Sequence, residues 1–541
     1  MAKTDILLGM IDDLKIETAR RRTFAIISHP DAGKTTLTEK LLLYGGALDL
    51  AGSVTAKKQQ RETTSDWMEL EKKRGISISS TVLQFDYDGF RLNLLDTPGH
   101  KDFSEDTYRV LMAVDAVVMV IDAGKGIENQ TRKLFEICRK RGIPIFTFMN
   151  KLDRPSMPPL MLMDQLEKVL SLHAYPINWP LGNGPYFKGV YDRLKRQVHM
   201  FERVPGGAYQ APVSIHDLND PLVKNTLEAQ TYKDVVEELD ILGATQGDFD
   251  LDQVLAGKMT PVFFGSAANN FGVELLLQGF LQFSTGPSPR KSLNGLVPVE
   301  HPEFSAFVFK IQTNMNPLHR DRVVFVRVCS GKFTRNIVAK HSRTGEEIRL
   351  SDSHNIFGRS REIVNEAYPG DIVGFVTKVD LRVGDTISTD PSIVYGEIPK
   401  FAPECFAFVE NSFTSSYKSF RKGIGHLLAE DIVQAFTLKS PKNSTPLLGA
   451  VGPLQFEVLQ YRLKDEYGAE SRLDSMPYKI LRWVESSETE EKLLEILPQG
   501  GGLAVDDQER YVMLFPTDWS LKYFLDLNPA IKLVDSPSLR K

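Results

Sequence analysis

An apolar segment at residues 24–27 leads directly into a polar loop and then into a helical pattern. The loop ends in Gly33-Lys34-Thr35, as phosphate-binding loops do, although its first position is Ser28 rather than the usual glycine or alanine. Backbone N–H groups around Gly33 can surround phosphate oxygens, Lys34 adds a positive charge, and the Thr35 hydroxyl can bind Mg²⁺. This order of strand, loop and helix predicts an α/β domain that binds a nucleoside triphosphate. The predicted contacts are Ser28, His29, Pro30, Asp31, Ala32, Gly33, Lys34, Thr35 and Thr36.

The length and composition are those of a multidomain globular protein. At about 150 residues per domain, 541 residues predict about three domains. The most apolar stretch, residues 111–121, is interrupted by Asp115, and no apolar run approaches the ~20 residues that a membrane-spanning helix needs. The first 22 residues carry four acidic side chains, unlike a secretory signal, so we expect a cytoplasmic location. The three cysteines lack the paired spacing of a disulfide framework or a zinc site.

The residue patterns predict three kinds of fold along the chain. Up to about residue 289, apolar strands alternate with helical stretches, as in a mostly parallel sheet covered on both faces. Short strands separated by turns then continue to residue 387 and predict a small β-barrel. After a break at residues 396–403, a mixture of strands and helices predicts a ferredoxin-like α+β fold with a C-terminal extension after about Glu485. No internal repeat is visible, and the predicted domains are residues 1–290, 291–399 and 400–541.

Three further motifs each follow a strand of the first part, where ligands bind in open α/β sheets. In the motif at residues 96–100, the aspartate can hold Mg²⁺ through water and a glycine N–H can reach a γ-phosphate. In the motif at residues 150–153, Asp153 can accept two hydrogen bonds from guanine, whereas adenine would leave it unpaired, which typically discriminates by roughly 10⁴-fold or more. The motif at residues 265–267 is placed to close over the base. We therefore expect GTP or GDP with Mg²⁺, bound by Asp96, Thr97, Pro98, Gly99, His100, Asn150, Lys151, Leu152, Asp153, Gly265, Ser266 and Ala267.

These motifs resemble those of the translational GTPases, the group that includes elongation factors Tu and G. Residues 96–100, with histidine last, have the group's form, and Arg74-Gly-Ile-Ser-Ile78 is similar to its first switch, which normally reads Arg-Gly-Ile-Thr. The resemblance implies that Ser77, together with Thr35 and Asp96, binds Mg²⁺. It also implies that His100 orients the attacking water once the ribosome activates the site. For Asp31 two roles stay open, a monovalent-cation ligand beside the phosphates, as in some members, or a cap of its own loop.

Within that group, the chain looks closest to the bacterial family of peptide chain release factor 3. The similar segments include residues 28–36, 65–77, 94–107, 307–312 and 449–456. The resemblance implies a ribosome-dependent GTPase of translation termination that promotes dissociation and recycling of class I release factors, which read stop codons, after peptide release. Its implied partners are both ribosomal subunits, including ribosomal RNA, and those release factors through the ribosome. We expect a monomer with no membrane or DNA partner.

Local charge gives a second prediction about ribosomal contacts. The net charge is −5, but residues 305–350 hold nine lysines and arginines against three acidic residues. Such a surface can bind phosphate backbones, and a solvated barrel surface explains the charge equally well. Lys418, Arg421 and Lys422, which lie beside two aromatic residues in the sequence, are further candidates.

Three alternative functions fit the sequence less well. A translocase-like or ribosome-protection factor would carry two further domains, for which 541 residues leave no room. An elongation-factor-like GTPase subunit of sulfate activation should end in a second β-barrel, whereas residues 449–467 have the pattern of a strand, a turn and a helix. A scaffold with an inactive nucleotide site is disfavoured because Lys34, Thr35, Asp96, Asn150 and Asp153 are all intact.

Overall fold

The computed structural model of the protein describes residues 12–47, 71, 77–202, 209–313, 322–357, 360–377, 379–396, 398, 400–439 and 445–537. Residues 74–76 of the predicted first switch and Arg320 of the basic stretch lie outside these residues. The first described element is a helix at residues 12–19. No helix in the described part of the chain is long and apolar enough to span a membrane.

The first region, residues 21–283, is built on a seven-stranded sheet, which confirms the mostly parallel sheet predicted there. Neighbouring strands are parallel except at one edge, where Thr81–Tyr87 pairs antiparallel with Phe90–Asp96. The central strands are buried along their whole length, which explains why they read as continuous apolar runs. In sheet order the strands are Thr81–Tyr87, Phe90–Asp96, Arg21–Ser28, Ala116–Asp122, Ile145–Asn150, Met259–Phe264 and His173–Pro176.

Helices cover both faces of this sheet, as the buried strands require. Lys34–Tyr44 and Val273–Phe283 contribute apolar side chains to the core on one face. The core on the other face takes its helical side chains from Ser104–Met112, Asn129–Lys140 and Pro159–Leu170. We call Ser104–Met112 the switch helix because it follows the motif at residues 96–100.

An inserted unit between two strands of the sheet was not predicted from the sequence. It contains a four-stranded antiparallel sheet and three helices, and its Trp179 is fully buried and donates to Glu238 at 2.8 Å. Its strands have only four or five residues, too few for a clear alternation of apolar and polar positions. The strands are Asn178–Leu181, Gly189–Asp192, Gln197–Phe201 and Val213–His216, and the helices are Pro221–Thr226, Ala229–Thr245 and Leu251–Leu255.

The second region, residues 305–388, is an eight-stranded antiparallel sheet with one apolar core. Ile348 and Leu350 on one edge strand share this core with Val364, which follows the opposite edge strand, so the sheet wraps around the core as the predicted barrel does. In sheet order the strands are Glu347–Leu350, Ile337–His341, Thr386–Ser388, Ser305–Thr313, Arg322–Ser330, Ile372–Val376, Ser353–Phe357 and Ser360–Ile363. Two-stranded pairs lie beside it, Arg290–Ser292 with Gly295–Val297 and Phe333–Thr334 with Glu366–Ala367.

The third region, residues 405–534, contains the predicted ferredoxin-like unit. Its strands and helices alternate as βαββαβ, and the fourth strand lies beside the first and the third beside the second. In chain order the elements are Cys405–Asn411, Tyr417–Ala429, Gln434–Leu438, Leu447–Ala450, Pro453–Tyr467 and Ser471–Met476.

The expected C-terminal extension is itself a second βαββαβ unit with the same strand order. The two units form one eight-stranded sheet, joined where Gln434–Leu438 pairs with Gly502–Val505. The second unit therefore continues the sheet of the first, although the sequence shows no repeat. Its elements are Ile480–Val484, Glu490–Glu495, Gly502–Val505, Tyr511–Phe515, Asp518–Leu527 and Leu533–Val534.

Candidate guanine-nucleotide site

The predicted nucleotide motifs meet at the carboxyl edge of the parallel sheet. The register pairs Ile26 with Asp96 on one side of the first strand and Ser28 with Val120 on the other. The next pair of strands aligns Asp122 with Asn150. Because neighbouring parallel strands end at the same level, the loops that follow them are brought together there.

The phosphate-binding loop turns sharply at Gly33, which caps the helix Lys34–Tyr44. Gly33 has a φ of 97°, in the left-handed region that favours glycine. The Asn150 side-chain amide donates to the Ala32 carbonyl at 2.8 Å, and a Cβ on Gly33 would overlap that amide. Glycine is therefore required at this position both by the backbone conformation and by the close approach of Asn150.

The charged groups of the predicted phosphate and metal sites lie in contact. Lys34 donates to the Asp96 carboxylate, and both side chains are buried. The neighbouring Thr97 hydroxyl donates to the Ile26 carbonyl at 2.7 Å, which ties this loop to the first strand. The Asp96 carboxylate and the half-buried Thr35 hydroxyl supply the oxygen ligands that Mg²⁺ prefers. No cluster of three or more metal-binding His, Cys, Asp or Glu side chains lies among the residues described, and Mg²⁺ at nucleotides typically needs only one or two carboxylates besides the phosphates.

The predicted base-binding residues also lie together. The Ser266 hydroxyl donates to Asp153 Oδ1 at 2.6 Å, which orients the carboxylate assigned to guanine. The Ala267 N–H donates to Asn150 Oδ1 at 2.9 Å, and the Leu152 N–H donates to the Gly265 carbonyl at 3.2 Å. The motifs at residues 150–153 and 265–267 therefore form one hydrogen-bonded unit.

Asp122 is a site residue that the sequence analysis missed. Lys151, itself in the left-handed region with a φ of 69°, donates to Asp122 Oδ2 at 2.8 Å and also to the Asp31 carbonyl. Burial alone would raise the pKa of Asp122, but hydrogen bonds from Lys151 and the Gly124 N–H hold it below its usual value. Asp122 thus positions Lys151 across the phosphate loop. The available signal was its place at the end of a buried strand, as in the other motifs.

His29 lies inside the phosphate loop rather than on its surface. Its side chain is buried, and its Nε2 lies 3.4 Å from a carboxylate oxygen of Glu128. Burial lowers the pKa of His29 below its usual value, although Glu128 acts in the opposite direction. Pro30 and Asp31, by contrast, are exposed.

His100, the predicted catalytic residue, lies at the start of the segment that leads into the switch helix. Its side chain is 32% exposed. Its Nδ1 accepts from the Asp102 N–H at 3.3 Å and lies 3.4 Å from Asp102 Oδ1. This contact leaves Nε2 as the ring nitrogen available to a substrate water.

The residues that directly follow the predicted first switch contact the second region. Ser77 is half-buried, and the Lys310 ammonium donates to the hydroxyls of Ser79 at 2.8 Å and Ser80 at 3.1 Å. Burial lowers the pKa of Lys310, although nearby carboxylates act in the opposite direction.

The predicted basic surface of the second region is partly wrong. Lys310 is buried against Ser79 and Ser80, and Arg327 is buried against the first region, where it donates to the Ala113 carbonyl and Asp115. Both charges serve contacts inside the protein because they lie on strands packed against the first region. Of the described basic residues in this stretch, Arg335, Lys340, Arg343 and Arg349 are exposed, and Lys418, Arg421 and Lys422 in the third region are exposed as well.

Comparison with known proteins identifies the family. Residues 19–285 match the elongation factor Tu GTP binding domain, residues 303–390 match elongation factor G domain 2, and residues 395–525 match the C-terminal domain of class II release factor RF3. Peptide chain release factor 3 of Gloeobacter violaceus is 51% identical over 521 residues, 96% of this chain and 98% of that protein. The chain belongs to the peptide chain release factor 3 family.

Other relatives agree with this assignment. Peptide chain release factor 3 of Rippkaea orientalis is 52% identical over 515 residues, 95% of this chain and 95% of that protein. A solved structure from Thermus thermophilus has a TM-score of 0.68 over 90% of this chain and 72% of that chain, and at 22% identity it shows a shared fold alone. As a member of the release factor 3 family, the chain is a translational GTPase that binds guanine nucleotides.

Proposed function

We propose that this protein is a ribosome-dependent GTPase that promotes dissociation and recycling of class I release factors after peptide release. In its GTP form it favours a ribosomal state that expels the stop-codon-reading factor, and hydrolysis then lets it leave. The observation that carries the proposal is that both other regions contact the first region next to the predicted nucleotide motifs. The second region contacts Ser79 and Ser80, just after Ser77, and the third contacts Asp102, just after the motif assigned to the γ-phosphate. To change a 1:99 population into 99:1, the ribosome must prefer the GTP form by about 5.5 kcal/mol.

Named residues take separate roles in this proposal. Asp153 binds the guanine edge, and Lys34 and the backbone of the phosphate loop bind the phosphates. Thr35, Ser77 and Asp96 would hold Mg²⁺, which neutralises phosphate charge when it is bound. His100 orients the attacking water, and the ribosome completes its placement. The fit of Thr35 and Asp96 rests on their oxygen ligands and on the contact of Asp96 with Lys34.

The proposed partners follow from that activity. They are both ribosomal subunits, including ribosomal RNA, and the class I release factors through the ribosome, encountered in the cytoplasm by a monomer. The exposed Lys418, Arg421 and Lys422, on the outer part of the helix Tyr417–Ala429, are the candidate contacts to RNA phosphates.

Release-factor turnover on stop-codon ribosomes tests the proposal. With GTP and this protein, one ribosome-bound factor should be replaced repeatedly, and GTP hydrolysis should rise strongly when 70S ribosomes are added. His100→Ala should retain GTP binding and lose the stimulated rate. Turnover that is the same with and without the protein would refute the termination role, and loss of GTP binding in His100→Ala would make His100 structural.

A further inference from the structure

Asp102 is a buried carboxylate two residues after the predicted catalytic histidine. It is 2% exposed, in the short 3-10 turn Lys101–Phe103 that joins the nucleotide motif to the switch helix. A buried carboxylate is costly unless hydrogen-bond donors satisfy it. Its partners therefore indicate what holds it in place.

One partner of Asp102 comes from the third region. The Leu454 N–H donates to Asp102 Oδ2 at 2.9 Å, from the first turn of the helix Pro453–Tyr467. The N-terminus of a helix stabilises a carboxylate through its unpaired N–H groups and its dipole. Gly452, just before this helix, lies so close that a Cβ there would overlap the Asp102 carboxyl group. The third region thus fits closely around this one side chain.

The other side of Asp102 faces His100. The Asp102 N–H donates to His100 Nδ1 at 3.3 Å, and Asp102 Oδ1 lies 3.4 Å from the same nitrogen. The N–H suits a neutral ring, and the carboxylate suits a protonated one. Asp102 can therefore orient the imidazole in both protonation states, with Nε2 left to face a water.

Apolar contacts next to Asp102 also hold the third region against the first region. Ile78, from the predicted first switch, and Phe103 form one buried cluster with Leu454 and Val458 of the third region. Because this cluster joins Ile78 and the turn Lys101–Phe103 to the third region, it changes when either of those segments moves. Docking of the third region and the position of Asp102 are therefore linked.

We propose that Asp102 is a positioning residue that makes the orientation of His100 depend on docking of the third region. The Leu454 N–H fixes Oδ2, and the fixed carboxylate and its own backbone N–H then hold His100 Nδ1. GTP hydrolysis thereby requires the third region to be seated on the turn Lys101–Phe103. This inference rests on the proposed role of His100.

The test approaches the contact from both sides. Asp102→Ala removes the carboxylate. Gly452→Ala leaves the carboxylate in place but adds a methyl group that pushes against it. Gly452 is 350 residues further along the chain and outside the predicted nucleotide site. We expect each variant to lower the ribosome-stimulated kcat about 10- to 100-fold, since small misplacements of reacting groups have effects of this size. The Kd values for GTP and GDP and the KM for ribosomes should stay within about twofold of wild type. Asp102→Asn keeps an acceptor for the Leu454 N–H and a donor for the ring, so it should recover most of the rate.

Gly425→Ala is the matched control, because a Cβ at Gly425 in the same region meets nothing within 4 Å. The double variant Asp102→Ala/Gly452→Ala should be no slower than Asp102→Ala alone, since both remove one interaction. In NMR spectra of protein with labelled histidines, the ring signal of His100 is the one that is missing from His100→Gln. Gly452→Ala should shift that signal. A Gly452→Ala rate equal to that of Gly425→Ala, or rate losses that multiply in the double variant, would overturn the inference.

The same assays separate this inference from the proposed function. If His100→Ala keeps the full stimulated rate, the assigned role of His100 is wrong and the positioning role of Asp102 falls with it. If His100→Ala loses the rate while Gly452→Ala does not, only the link to the third region is wrong.

Discussion

Replacing Arg462 with methionine removes the cation that joins the second and third regions. Arg462 is 4% exposed and donates to both carboxylate oxygens of Glu430, at 2.6 and 3.1 Å, and to Glu466 at 3.0 Å. Glu430 in turn accepts from the N–H of Thr313, the last residue of a second-region strand, at 2.8 Å. Burial lowers the pKa of Arg462, but attraction by Glu430 and Glu466 outweighs it and raises that pKa above its usual value. The guanidinium therefore stays charged at neutral pH.

The expected loss follows from the burial of the partners. Methionine fills much of the same space but leaves the Glu430 side chain, 5% exposed, without its cation. Breaking a buried ion pair from one side typically costs about 3–5 kcal/mol. Glu466 is 17% exposed, so water replaces part of what it loses. We therefore expect Arg462→Met to destabilise the junction between the second and third regions by about 3 kcal/mol, at the lower end of that range.

Hydrogen exchange measures this loss at the junction itself, whereas global unfolding of a chain with several regions is not a two-state process. A loss of about 3 kcal/mol corresponds to roughly 150-fold faster exchange in the peptides that contain Thr313 and the helix Pro453–Tyr467. Arg472→Met, at an exposed position of the same region, is the control and should change exchange less than about threefold.

A second variant keeps this prediction open to refutation. Adding Glu430→Gln to Arg462→Met replaces the unpaired carboxylate by a neutral amide that can still accept from the Thr313 N–H. Exchange should then slow again by about tenfold, since the neutral amide avoids burying an uncompensated charge. Acceleration below tenfold in Arg462→Met, or no recovery in the double variant, would show that this network does not hold the two regions together.

Three other changes test separate parts of the structure. Asp153→Asn should shift preference from guanine toward xanthine nucleotides in a binding assay, and an unchanged preference would remove Asp153 from base recognition. Lys310→Met leaves the buried acceptors of Ser79 and Ser80 without their donor, which should weaken docking of the second region by about 1–3 kcal/mol. Hydrogen exchange in residues 305–313 should then be faster, and exchange equal to that of wild type would contradict this role of Lys310. Because burial lowers the pKa of His29, its neutral ring contributes stability that is fully present above the unfolded pKa of about 6.5 and is lost as pH falls through the lower folded pKa. His29→Leu should flatten this acid slope, measured as the pH dependence of hydrogen-exchange protection factors in the peptides that contain residues 21–33 of the GDP-bound protein, and an unchanged slope would place its origin elsewhere.

The nucleotide motifs could be predicted from sequence because local spacing determines them. A buried parallel strand such as Ala116–Asp122 reads as a continuous apolar run, and the polar residue at its end marks the ligand edge. Gly33 and Asn150 are more than 100 residues apart, yet each occupies a fixed place after its own strand. Their contact therefore follows once the strands are paired in parallel.

Contacts between regions could not be predicted in this way. Asp102 and Leu454 are 352 residues apart, and Lys310 and Ser80 are 230 apart, so no local pattern marks either pair. For the same reason the local excess of lysine and arginine at residues 305–350 predicts a basic surface, although Lys310 and Arg327 are buried between regions. The second ferredoxin-like unit was missed because its last strand, Leu533–Val534, has only two residues and depends on its neighbours to form.

The switch helix is held at its C-terminal end as well as near its N-terminal end. Three arginines donate to three consecutive carbonyls there, Arg141 to Leu111, Arg290 to Met112 and Arg327 to Ala113. Cations are favourable at a helix C-terminus, and at neutral pH Arg290 remains charged although burial lowers its pKa to about 10. These arginines come from the first region, the connecting segment and the second region, whereas the turn just before the helix is held by the third region. Because a short helix moves as a rigid body, a displacement at His100 must either break these contacts or move the second and third regions with it.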